Sequence, residues 1–234
     1  MLRYPENTWP ALHAALEAGA DFIEFDLQMN ADLEFIVIHD ADFQRTSGVQ
    51  QSVFTADTNL CRGLSVHHPQ RFGEAFNPLK VSLLGEILEL TALYPKATAL
   101  VEIKSQSLEH WGLERVMAAL LKQLEPFQEQ CVLITFSAAA IEYTQQHSAL
   151  RTGWVFEEYD ETHRAQAAIL KPDYLMTDYE LIPEGQAPWP EFARWMLYDI
   201  VDTEIALRYS QMGVELIETA DIAGLKQFFS EQDS

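Results

Sequence analysis

Residues 23–40 read IEFDLQMNADLEFIVIHD, and the reading of the whole chain turns on them. Two apolar runs flank the turn NADLE, a pattern that predicts strand, turn, strand. Glu24 and Asp26 nevertheless sit inside the first run, and His39 closes the second. On a strand, residues two apart share a face. Glu24, Asp26 and Gln28 therefore point one way, and Ile23, Phe25 and Leu27 the other. Buried carboxylates are costly unless something pairs with them, so the polar face of this strand is expected to carry a function.

Around this stretch, apolar β-like runs alternate with amphipathic helical ones. The preceding segment NTWPALHAALEAG has helical spacing, a polar start at Asn7 or Thr8, a proline in its first turn and Gly19 as its stop. Residues 41–80 read as irregular and polar. The alternation then settles, with LEHWGLERVMAALLKQLE predicted as one long helix after the strand TALVEIKS. Repeated β–α units imply a parallel sheet, and this many units in 234 residues imply an α/β TIM (β/α)8 barrel. Barrel strands are predicted at 21–28, 98–104, 131–136, 152–157, 173–177, 194–200 and 214–218, one fewer than a closed barrel needs. The first strand is accordingly expected upstream of Met1. The alternatives are a miscount, or strand 34–38 in the vacant place. One domain over 1–234 is expected, with a small insertion at about 34–80.

The chain is 48% hydrophobic, ample for a core, and its formal charge is −21. A field of that sign repels nucleic acid and anionic membrane, so neither is an expected partner. It also repels an anionic ligand unless a bound cation inverts the sign locally. Cys61 and Cys131 have no C-x-x-C spacing and read as reduced, packed thiols. No apolar run approaches the roughly 18 residues of a membrane span. MLRYPENTW has no apolar leader, which points to a cytoplasmic protein.

A third carboxylate repeats the opening pattern. In LVEIKS, Glu102 and Lys104 are two apart on an apolar strand. In a barrel, Glu24, Asp26 and Glu102 would face inward, toward the C-terminal mouth where sites are built. Three carboxylates on neighbouring strands suit Mg²⁺ or Ca²⁺, and nothing favours zinc. Each also has a plainer reading as an ion-pair partner, Glu102 with Lys104 and Asp26 with Arg45. His39 alone is a weak signal. His13, His67, His68, His110, His147 and His163 read as surface or structural.

The segment PENTWPALHAALEAGADFIEFDLQMNADLEFIVIHDADFQRTSG, residues 5–48, resembles the glycerophosphodiester phosphodiesterase family. That family shows P-E-N-T, a helix, G-A-D-x-I-E-x-D, then V-x-H-D and a downstream R-T. PLKVSLLGEILEL, LVEIKS, LITFS and MGVELIETADIAGL resemble its later segments, in order. The resemblance implies a TIM barrel with an insertion after its second strand. It implies a divalent ion on Glu24, Asp26 and Glu102, phosphate held by Lys104, and His39 as one of two acid/base histidines. It places Phe136 and Tyr198 against the substrate, a small glycerophosphodiester cleaved to sn-glycerol 3-phosphate and an alcohol.

The departures are specific. The family carries His-Arg-Gly a few residues before P-E-N-T, and MLRYPENT has no such tripeptide. The chain as written is therefore expected to lose most of its activity. Val201 stands where the family often has Asn, and Leu33 where it often has Gly, so a different turn is expected there. Two rivals remain: a lysophospholipase D or sphingomyelinase-like phosphodiesterase, and a non-catalytic barrel that still binds a metal or a glycerophosphodiester.

Overall fold

The computed structural model describes residues 2–190, 192 and 194–232. Helix α1 (Trp9–Glu17) leads into β1 (Phe22–Met29), which turns back into β2 (Phe35–Val37). Three short helices follow, α2 (Gln44–Ser47), α3 (Thr58–Gly63) and α4 (Pro69–Phe72). Then come α5 (Leu84–Ala92), β3 (Thr98–Ile103), α6 (Ser105–Trp111), α7 (Leu113–Leu124), β4 (Cys131–Thr135), α8 (Ala138–His147) and β5 (Arg151–Val155). The chain closes with α9 (Glu161–Leu170), β6 (Tyr174–Asp178), β7 (Trp195–Tyr198), α10 (Thr203–Gln211), β8 (Leu216–Ile217) and α11 (Ile222–Gln232).

The strands form one sheet in the order β2-β1-β3-β4-β5-β6-β7-β8. Every neighbouring pair from β1 through β8 is parallel, and β2 alone runs antiparallel. This is the wall of a TIM-type barrel, with the seven parallel strands the apolar pattern predicts. β2 pairs only with the last three residues of β1, so it does not take the vacant barrel position. Among the described residues β8 and β1 do not pair, and a slot of about 210 Å³ lies between them.

Strand alternation sorts the core into two shells. Phe25, Leu27, Val101, Ile103 and Leu133 point outward and bury against Leu12, Leu88, Val116 and Leu120 of the surrounding helices. Leu100, Val132, Ile134, Val155, Met176 and Met196 fill the barrel interior. The interior is tight: a Cβ on Gly153 would lie 2.9 Å from Ile134 Cγ2 and from Met176 Cε. Glycine on β5 is therefore a packing requirement. Among the described residues no helix is long and apolar enough to cross a membrane. Both cysteines are free and buried, as expected.

Three local expectations are corrected. The predicted helix over LEHWGLERVMAALLKQLE breaks at Gly112 (φ +86°), which separates α6 from α7. The insertion is not simply irregular. Ile36, Ile38, Phe43, Val53, Cys61, Val66 and Val81 give it a buried apolar cluster, too scattered in sequence to show a period. The turn after β1 also keeps the conformation that glycine favours, because Leu33 sits at φ +63°. Asn30 Oδ1 fixes this turn by accepting from the N–H of Asp32 (3.0 Å) and of Glu34 (2.9 Å). A left-handed non-glycine residue costs about 1–2 kcal/mol. Leu33→Gly should raise stability by about 0.5–1 kcal/mol, net of glycine's extra unfolded-state freedom. The denaturant midpoint should rise at unchanged slope, and an unchanged or lower midpoint would refute the strain argument.

Candidate active site

The inward faces of β1 and β3 meet at the C-terminal mouth. Asp26 and Glu102 are Cα partners in the parallel ladder, and Glu24 lies one inward position deeper, beside Leu100. One oxygen from each of Glu24, Asp26 and Glu102 lies within 4.8 Å of the others. Lys104, the next inward residue of that chain, places its Nζ 2.6 Å from Glu102 Oε1 and 3.4 Å from Asp26 Oδ1. The same Nζ sits 5.7 Å from the centre of the Phe136 ring. His39, Phe136 and Tyr198 line the same cavity of about 230 Å³. All seven residues singled out in the sequence thus share one pocket.

The plainer ion-pair reading is half correct. Lys104 does pair with Glu102 and Asp26. Arg45, however, reaches Asp40 and Glu6 rather than Asp26. One lysine does not neutralise this site. Glu24 Oε1 is buried with no hydrogen-bond partner. Burial, then Asp26, Glu218 and Glu102, push the Glu24 carboxyl well above its ordinary range, against the pull of Lys104. Burial and Asp26 push Glu102 up to about 7. Burial works against the charge on Lys104, yet Asp26 and Glu102 together raise its pKa. A site that holds its carboxylates uncomfortably in the absence of a cation fits a hard divalent ion in charge and in donor type.

His39 follows β2 and is held from two sides. Its carbonyl accepts from Gln28 Nε2 at 3.0 Å. Its Nδ1 lies 2.8 Å from Asp40 Oδ1. A carboxylate only accepts, so Nδ1 carries a proton, and in the neutral ring Nε2 is the nitrogen with the free lone pair. Asp40 is fixed in turn by Arg45, whose Nε donates at 2.7 Å and whose Nη2 donates at 3.0 Å. Arg45 Nη2 also donates to Glu6 Oε1 at 2.6 Å. Burial alone would raise the Asp40 carboxyl, but Arg45 and His39 hold it below its ordinary range. The chain Glu6–Arg45–Asp40–His39 therefore orients one imidazole at the rim.

Five polar residues of the site were not anticipated from sequence: Glu6, which anchors Arg45, and Asn7, Asp40, Asp199 and Glu218. Asn7 brackets Asp26, donating from Nδ2 to Asp26 Oδ2 (2.7 Å) and accepting the Asp26 N–H at Oδ1 (2.9 Å). Asn7 sits at φ +54°, a left-handed conformation that Asn tolerates better than most residues; in the sequence it reads only as a helix start within the P-E-N-T stretch. Asp40 adjoins His39, and its adjacency alone could have suggested it. Asp199 and Glu218, from the ends of β7 and β8, line the same cavity. Glu218 stands in a short apolar stretch with no second carboxylate at strand spacing, so alternation could not single it out.

Fold and pocket together define a TIM-type barrel with an acidic, lysine-bearing mouth and an oriented histidine at its rim. The chain belongs to the glycerophosphoryl diester phosphodiesterase family, whose model matches residues 2–216. It is 28% identical over 186 residues to a glycerophosphodiester phosphodiesterase of Caldanaerobacter subterraneus, covering 77% of this chain and 73% of that one. It is 35% identical over 135 residues to a glycerophosphodiester phosphodiesterase of Bacillus altitudinis, covering 56% of this chain and about half, 52%, of that one. Its fold superposes on an Oleispira antarctica phosphodiesterase, solved in complex with the product sn-glycerol-3-phosphate, with a TM-score of 0.83. That match covers 99% of this chain and 92% of the other at 18% identity.

Proposed function

We propose that this protein hydrolyses glycerophosphodiesters to sn-glycerol 3-phosphate and an alcohol, using a divalent cation held by Glu24, Asp26 and Glu102. The observation that carries this reading is the three-carboxylate group with its unpartnered buried Glu24 oxygen, set beside Lys104 and within one pocket of His39. Mg²⁺ and Ca²⁺ both suit three carboxylates. Held by these carboxylates, a divalent cation would supply positive charge to offset the negative charge that grows on the phosphate in the transition state.

The chain's own residues do the rest. Lys104 brings a second positive group to the phosphate, held in place by the carboxylates it already touches. Phe136 backs Lys104 and, with Tyr198, gives the pocket an apolar wall for the organic part of the ester. His39 Nε2 takes the proton of the attacking oxygen or returns one to the departing alkoxide, while Asp40 steadies the charged imidazolium. The new bond joins phosphorus to the attacking oxygen, and the bond that breaks joins phosphorus to the alcohol oxygen. The product named for the Oleispira antarctica relative is the product this scheme yields.

The test is release of glycerol 3-phosphate from glycerophosphocholine and glycerophosphoethanolamine by the full-length gene product. Release is expected with Mg²⁺ or Ca²⁺, is expected to stop on chelation, and is expected to return when metal is restored. A folded protein that stays inert with every divalent metal and diester would instead be a binding protein on a phosphodiesterase scaffold.

A further inference from the structure

Asn7 grips Asp26 at two points. The Asp26 C=O accepts from Ile38 N at 2.9 Å, while the next residue, Leu27, bonds to the β3 side through Lys104 N. Asp26 therefore bonds along the edge of β1 that faces away from β3. β2 pairs with β1 only over Leu27–Met29, so among the described residues no strand lies beside the Asp26 N–H. Asn7 Oδ1 supplies the missing acceptor at 2.9 Å. The other end of the same amide, Nδ2, donates to Asp26 Oδ2 at 2.7 Å. Only one orientation of the amide satisfies both bonds, because a flip would set donor against donor and acceptor against acceptor. One side chain thus ties the Asp26 carboxylate to its own backbone.

The support is itself fixed. Thr8 is fully buried. Its hydroxyl donates to Pro5 O at 2.7 Å, and its C=O accepts from Leu12 N at 3.1 Å to open α1. Glu6, on the other side of Asn7, accepts from Arg45. Asn7 is therefore anchored through both of its chain neighbours. Its neutrality matters for Asp26. Lys104 also reaches this carboxylate, 3.4 Å from Oδ1, and offsets its charge. The Asn7 amide holds the carboxylate in place and leaves its charge available to a cation. Ligating carboxylates are commonly held by such outer hydrogen bonds.

We propose that Asn7 is a positioning residue that sets the divalent-cation affinity of the site by fixing the Asp26 carboxylate. This rests on the function proposed above, which places the cation on Glu24, Asp26 and Glu102. Asn7 acts through Asp26 and is not itself a ligand in this scheme, since Oδ1 faces the Asp26 N–H and Nδ2 only donates.

The decisive variant is Asn7→Gly. Glycine takes the left-handed backbone of position 7 without strain, so the amide is removed and the turn is kept. Mg²⁺ is titrated into metal-free, full-length protein, and its affinity is read from the rise in thermal midpoint. Asn7→Gly should weaken Mg²⁺ binding by about 10- to 100-fold. Asn7→Ala removes the same amide and should give the same loss on a less stable fold. Asp26→Ala should also weaken binding, and in that background Asn7→Gly should cost less than about 2-fold more. Turnover should show the matching split. Asn7→Gly should need about 10- to 100-fold more Mg²⁺ for half-maximal rate, yet reach a kcat within about 3-fold of wild type at saturation. Wild-type Mg²⁺ affinity in folded Asn7→Gly overturns the assignment and leaves the hydrolase reading intact. A full further loss in the Asp26→Ala background overturns it too, because Asn7 would then meet the cation directly. So does a kcat that stays low at saturating Mg²⁺, because the amide would then serve the reaction itself. If neither Mg²⁺ nor Ca²⁺ raises the wild-type midpoint, the cation reading fails and this inference fails with it.

Discussion

His39→Ala should lower kcat by about 10² to 10⁴ with little change in stability, the loss expected for one proton-transfer group. The imidazole is half exposed, with 49% of its side-chain area accessible, so its removal leaves no buried cavity. The Gln28 bond goes to the His39 carbonyl and survives the substitution. The thermal midpoint should therefore shift by no more than about 0.5 kcal/mol allows. Because the ring stands at the rim, added imidazole should restore part of the rate. Asp40→Asn should fall between wild type and His39→Ala. It keeps a neighbour at Nδ1 but removes the negative charge that steadies the imidazolium and fixes the tautomer. A His39→Ala enzyme with near wild-type kcat would remove His39 from the proton path. A folded but inert variant that imidazole cannot rescue would leave only a positioning role.

The barrel and the heart of its site were legible in the sequence because both follow from short-range periods. Alternation on 22–29 and 98–103 put Glu24, Asp26, Glu102 and Lys104 on inward faces, and the β–α rhythm brought the two strands together. What was not legible depends on contacts between distant segments. Asn7 reaches Asp26 across 19 residues, and Arg45 reaches Glu6 across 39. Neither pairing has a period to betray it. Arg45 illustrates the limit. Its charge and nearness in sequence made Asp26 a plausible partner, yet the turn after β2 carries it to Asp40 and leaves Asp26 to Lys104 and Asn7. The break at Gly112 is hidden in the sequence for a different reason. Apolar spacing continues across it, and only the left-handed backbone there ends α6. Glu218 escaped because an acid at the end of the short run 214–218 looks like any surface residue until the strands place it at the pocket.

Glu24→Gln should make the metal-free protein more stable and the enzyme far weaker. The Glu24 carboxyl is buried among Asp26, Glu218 and Glu102, and one of its oxygens has no hydrogen-bond partner. Its folded pKa is raised. A carboxyl of that kind contributes stability that is complete below its unfolded pKa, near 4.5, and is lost as pH rises through the folded value. Glu102 at about 7 and Glu218 at about 8 act in the same direction, so the metal-free protein should lose stability steadily between about pH 5 and pH 8. Glu6 and Asp40 are held low by Arg45 and carry the opposite slope, but their change is complete below that window. Glutamine removes the buried charge at similar volume. At pH 8 without metal it should gain about 1–2 kcal/mol, or about 2–4 °C of midpoint for each kcal/mol in a chain of this size. Divalent cation reverses the order. Wild type is stabilised by the ion it binds in the folded state, whereas the variant has lost a ligand and responds weakly. Activity should fall by at least about 10²-fold, since even partners one shell removed from a metal typically cost 10- to 100-fold. Thermal scans at pH 5 and pH 8, with EDTA and with Mg²⁺, read all of these effects in one series. If Glu24→Gln is less stable than wild type at pH 8 in EDTA, its carboxylate has a partner in the folded protein and the case for a cation there loses its footing. If it is more stable in EDTA, less responsive to Mg²⁺ and nearly inactive, Glu24 trades folding stability for the capacity to hold the ion.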